Sequence, residues 1–129
     1  MRPRLARLAF WAATAVTLAV ALMPEPPELP GPSDKVQHML AFALLALLAR
    51  VAYPRVPWLW LIVGLSAFGA LIELGQMIPG LHRYAEFADW IADTAAVAAM
   101  LLLIALAGRL RRRPAPEAMS AQRRRADRL

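Results

Sequence analysis

Four apolar blocks occupy most of this chain, at residues 8–23, 34–51, 58–78 and 88–110, separated by proline, glycine and charge. None shows the apolar–polar alternation of a half-buried strand, and each outlasts an ordinary strand, so each predicts a helix. The shortest block has 16 residues and rises ~24 Å; with Leu5 and Ala6 it approaches the ~30 Å hydrocarbon core of a bilayer. The proline-dense stretch at 24–32 cannot continue a helix. Pro54 and Pro57 break the second run, and Pro79-Gly80 stops the third. Ser33 or Asp34 is the expected N-cap of the second helix, with Gln37 three residues after Asp34 as in a capping box. The Arg-, Pro- and Ala-rich tail at 111–129 has the composition of a disordered segment.

Composition sharpens this picture. The chain has 129 residues, 60% of them hydrophobic, against about 45–50% in an ordinary soluble domain, so the excess belongs in a membrane. A formal charge of +6 would suit nucleic acid if the arginines covered a folded surface. They sit instead in the two tails and one short loop, which is the distribution of topology signals and excludes a groove-reading domain. Three arginines precede the first block, Arg50 and Arg55 flank the second break, and eight follow from Arg109 on; the opposite connectors hold only Lys35 and Arg83. The positive-inside rule then puts both termini in the cytoplasm. A competing expectation for the first block is a cleaved signal sequence, because Ala19-Val20-Ala21 offers a small-residue cleavage site after a basic start. The absence of cysteine excludes disulfides, thiol catalysis and Cys-based metal sites.

Against this background the polar residues inside the blocks stand out, since a charge near a bilayer centre costs roughly 2.5–3.5 kcal/mol on insertion scales. In the second helix Asp34, His38, Ala41 and Leu45 share a face. In the third, Ser66, Gly69, Glu73 and Gln76 do, and in the fourth Asp89, Asp93, Ala96 and Met100. His38, Glu73 and Asp93 all fall ~6–8 Å inside the same boundary. Small residues on these stripes allow close helix approach, which makes the three faces the expected bundle interior. Simpler explanations cover some of the charges. Asp34 and Asp89 suit helix N-termini, Lys35 reaches headgroups by snorkelling, and His82 and Glu86 read as solvated loop residues. Glu73 and Asp93 have no such explanation. No pair shows a metal-ligand spacing, and there is no nucleophile elbow, phosphate loop or dinucleotide turn, so no metal or cofactor is expected.

Taken together, Asp34-Lys35-x-x-His38, Glu73-x-x-Gln76, Arg83 and Asp89-x-x-x-Asp93 resemble the VanZ-like family of small bacterial membrane proteins, over roughly residues 33–106. Phe42 stands where that family usually has tyrosine, Ala96 lies near a position often held by glycine, and Asp93 occupies one that is frequently asparagine. The family's namesake confers low-level teicoplanin resistance, so the resemblance implies a cell-envelope role.

The expected architecture is therefore all-α: an integral four-helix bundle at 1–110 in a bacterial inner membrane, with a basic cytoplasmic tail at 111–129. The expected function is binding of a polar lipid headgroup, or of a lipid-linked cell-wall or glycopeptide ligand, at an outward-facing cluster of Asp34, Lys35, His38, Glu73, Gln76, Arg83, Asp89 and Asp93. The alternative is an enzyme acting on a phosphate- or ester-bearing envelope lipid, with Glu73 or Asp93 as base and His38 as acid. A proton-coupled antiporter of the small multidrug-resistance type fits less well, because dual-topology antiporters need nearly balanced loops.

Overall fold

In the computed structural model, the residues described are 3–24, 30–31, 33–81, 84–112 and the single positions 123 and 126. Nearly all lie in four helices: α1 Pro3–Ala21, α2 Asp34–Ala52, α3 Trp58–Gln76 and α4 Phe87–Arg111. The first three have 19 residues, rising ~28 Å, and α4 has 25, rising ~37 Å. Each is long and apolar enough to cross a membrane. The protein is an all-helical bundle with the composition of a multi-pass membrane protein. The tail expected to be disordered lies largely outside the described residues.

Backbone chemistry sets the helix ends. Pro3 occupies the start of α1, where its missing N–H costs nothing. Tyr53 leaves the helical region at φ −129°, ψ 63°, as the residue before Pro54 must, and closes α2. Pro57 caps α3 from the extended region. The sequence pattern runs α3 to Ile78, but the helix ends at Gln76 and continues as a tighter turn, with Ile78 N–H donating to Gly75 C=O at 3.1 Å. Pro79 disfavours the α conformation at the residue before it, and Gly80 turns the chain at φ 95°. At α2, Ser33 is the N-cap and makes no side-chain capping bond; Asp34 is already the first helical residue, so the expected capping box is not formed.

The helices run alternately up and down. α2 is the hub, sharing its largest interface with α4 and the next with α1, while α3 packs mainly on α4. The core joins Phe42, Leu45, Ala46 and Ala49 of α2 to Leu61, Leu65 and Ile72 of α3, Val97 and Leu101 of α4, and Ala21 of α1. The interior stripe of α2 thus runs through Phe42, Leu45, Ala46 and Ala49, rotated slightly from the expected one, which leaves Asp34 exposed and His38 at the margin. The expected stripes of α3 and α4 do reach the interior at Gly69, Gln76, Asp93 and Ala96. Large apolar side chains such as Leu44, Leu59, Leu71, Leu102 and Leu103 point outward, as lipid permits and water does not.

Polar ties cross the bundle where it would otherwise be held by packing alone. Ser66 and Thr94 hydroxyls lie 2.9 Å apart, and Trp90 Nε1 donates to Ser66 O and Oγ at 3.0 and 3.1 Å. Beside them Gly69 meets the Phe42 ring and Trp90: a Cβ built there would stand 3.4 Å from both. Gly69→Leu is expected to lower stability by about 1–3 kcal/mol through overpacking. Gly64→Leu, where nothing lies within 4 Å, should leave it unchanged. Unfolding of the two variants in the same detergent checks this.

A candidate polar site at one end of the bundle

Alternation of the helices brings the start of α2, the end of α3 and the start of α4 to one end, and each delivers polar residues there. Lys35 on the first turn of α2 reaches Asp89 on the first turn of α4, Nζ to Oδ1 at 3.0 Å, and Glu86 Oε2 at 3.7 Å. The contact with Asp89 is an ion pair at hydrogen-bond distance. Asp89 also faces the positive end of the α4 dipole. Two favourable fields therefore hold one carboxylate, and the pair clasps α2 to α4.

One turn deeper, His38 stands between two carboxylates. Its Nδ1 is 3.9 Å from Asp93 Oδ2 and its Nε2 is 4.0 Å from Asp34 Oδ1, ion-pair distances too long for hydrogen bonds. The two acids differ sharply in setting. Asp34 is exposed, whereas Asp93 is 2% exposed and its Oδ1 has no donor among the described residues. A buried carboxylate costs several kcal/mol unless a partner compensates it. Among the described residues His38 is the cationisable group within ion-pair range of Asp93, so the imidazole and this acid belong together.

Glu73 and Gln76 have different surroundings. Glu73 Oε2 accepts a hydrogen bond from the backbone N–H of Glu86 at 2.9 Å, which is the N-cap residue of α4. The carboxylate from α3 thereby satisfies a backbone donor and fixes the approach of the connector to α4. Gln76 is buried, and its Nε2 donates to Ala21 C=O at 3.0 Å, filling an acceptor that the end of α1 leaves free. This bond ties α1 into the same end.

Above these residues opens a cleft of about 410 Å³, with Asp34, Lys35, His38 and Gln76 on one part of its wall and Tyr84, Glu86 and Asp89 on another. Ser33 completes it; Glu73 and Asp93 are not among its lining residues. Arg83 and His82 lie outside the described residues. Of the expected cluster the structure thus brings Lys35, Asp89, His38, Asp34 and Asp93 into contact, and gives Glu73 and Gln76 backbone partners. Sequence reasoning missed Ser33 and Tyr84; Glu86, read as a solvated loop residue, is exposed and also stands in the cleft wall beside Lys35. The nearness of Glu86 to Lys35 offered no local signal, because they are 51 positions apart. Among the described residues no three His, Asp or Glu side chains are grouped to hold a metal ion.

No family model, no curated protein and no solved structure matches this chain. Glu73→Ala should cost about 1 kcal/mol and speed hydrogen exchange at the backbone of Glu86. Glu73→Gln retains a carbonyl oxygen that accepts the same bond and should lie close to wild type. Exchange rates of the two variants, measured side by side, check the assignment.

Proposed function

We propose that this protein sits in a bacterial inner membrane with both termini on the cytoplasmic side and binds the polar headgroup of an envelope lipid at its outward end. A lipid-linked cell-wall intermediate is a member of the same ligand class. The observation that carries the reading is the cleft: an open space of about 410 Å³ walled by Lys35, His38, Asp34 and Asp89, at the end of helices whose outer faces are apolar. A ligand with a charged head and apolar tails meets matching surfaces at that point and nowhere along the apolar flanks. Lys35 offers donors to a phosphate or carboxylate oxygen, and Asp34 and Glu86 offer acceptors to amines or hydroxyls. Orientation follows from the concentration of arginines at the other end. The resemblance to the VanZ-like family, resting on Asp34, Lys35, His38, Glu73, Gln76, Arg83, Asp89 and Asp93, supports an envelope role.

A second reading draws on His38. Buried Asp93 faces Nδ1, while Nε2 lies toward exposed Asp34 in the wall of the cleft. An imidazole beside buried and exposed carboxylates at a ligand space also suits acid–base chemistry, with Glu73 or Asp93 as base and His38 as acid. Turnover of a phosphate- or ester-bearing lipid by the purified protein, lost in His38→Ala, would establish the enzyme; binding without turnover leaves the first reading.

Two outcomes are expected. Reporter fusions after Met23, Ala52, Pro79 and Leu110 should alternate outside, inside, outside, inside, and an outside signal at Leu110 would invert the placement of the cleft. Asp93→Asn should stay within about 1 kcal/mol of wild-type stability, because the removed burial cost offsets the lost attraction to half-buried His38. The same variant should lose co-purified polar lipid, read by mass spectrometry of lipid extracts; full retention would separate Asp93 from binding.

A further inference from the structure

The opposite end of the bundle is electrostatically one-sided. Arg4 and Arg7 on α1, Arg50 and Arg55 beside the α2–α3 turn, and Arg109, Arg111 and Arg112 at the end of α4 collect there. The acids among the described residues, Asp34, Glu73, Glu86, Asp89 and Asp93, belong to the cleft end. None of these seven arginines forms an ion pair among the described residues. The positive charge is left for something outside the bundle to balance.

Two of the arginines are held in place. Arg7 Nε donates to Ala52 C=O at 3.5 Å, and its guanidinium lies 5.4 Å from the centre of the Tyr53 ring. Tyr53 is itself fixed by Trp11, whose Nε1 donates to the phenol oxygen at 2.9 Å, and by the edge of Phe10. Arg50 stacks over Trp58 at 4.4 Å, and its Nη1 donates to Pro54 C=O at 2.6 Å. The acceptors Ala52 and Pro54 are two residues apart, so both guanidinium groups flank one turn. Their other N–H groups have no acceptor among the described residues. Trp11 and Trp60, 59% and 65% exposed, mark this turn as lying at the depth of headgroups.

We propose that Arg7 and Arg50 form a binding site for the phosphate of an anionic phospholipid, seated against the α2–α3 turn. Arginine suits this task because its planar fork meets phosphate oxygens in pairs and stacks on aromatic faces. Holding the guanidinium planes in advance reduces the ordering cost of binding. The remaining arginines add a diffuse attraction that selects no geometry. The site is at the far end from the cleft and stands or falls independently of it.

The test uses the full chain in nanodiscs of equal parts phosphatidylcholine and phosphatidylglycerol, with lipid retained after gentle extraction counted by native mass spectrometry. Wild type should retain phosphatidylglycerol over phosphatidylcholine by about tenfold, because both carry the phosphate but the choline ammonium of phosphatidylcholine neutralises it and is repelled by the two arginines. Equal retention of the two lipids overturns the proposal. The R7Q/R50Q variant should lose most of the preference, and R109Q/R111Q/R112Q should keep most of it. An unchanged R7Q/R50Q, or an equal loss in the triple variant, shows a diffuse field and overturns the site. R7K/R50K keeps the charge without the fork and should behave like the glutamine pair; a lysine variant equal to wild type also overturns it. If circular dichroism shows R7Q/R50Q unfolded, the lysine pair and the triple variant carry the decision.

Discussion

A polar group taken into a low-dielectric medium must find a partner, and in this protein the partner is repeatedly on another helix. Lys35 of α2 meets Asp89 of α4, and His38 meets Asp93. Glu73 of α3 meets the N-cap backbone of α4, and Gln76 meets the last carbonyl of α1. Hydrophobic burial gives little net drive between helices in lipid, because tails solvate leucine as well as leucine does. These few contacts therefore decide which faces meet and at what height, and the alanines and Gly69 let them close.

The same up-and-down order that assembles the polar end also divides the charge. Helix starts and ends alternate, so the carboxylates of α2, α3 and α4 share one end while the arginines of α1, α2 and α4 share the other. At the first end opposite charges are interleaved, and an open cleft remains between them. At the second the charged groups among the described residues are all cations, two of them braced by aromatic rings and backbone carbonyls. The first end is the one proposed to take a ligand of mixed polarity, and the second the one proposed to meet anions.

Much of this was legible from residue order. Long apolar blocks, proline breaks and arginine placement determine four helices and their lengths, because backbone hydrogen bonds in hydrocarbon have no other solution. The polar layer was legible too, since His38, Glu73 and Asp93 sit at matching depths in their helices. Boundaries were less so: α3 stops two residues early because Pro79 constrains the residue before it, and Ser33 takes the cap expected to be reinforced by Gln37.

The division of labour within the polar layer was decided only by tertiary structure. Glu73 and Asp93 look alike in sequence, each an acid within one or two turns of a helix end. Folding gives Glu73 a backbone donor across the α3–α4 connector and leaves one buried oxygen of Asp93 without a donor among the described residues. Likewise Glu86 is the exposed loop residue that its sequence suggests, and only the fold of the connector places it beside Lys35. Helical periodicity specifies which face a side chain occupies, but the partner on that face is chosen by the rotation and height of a neighbouring helix. In this protein the sequence by itself determined the layer, and the packing of α2 against α4 determined who meets whom within it.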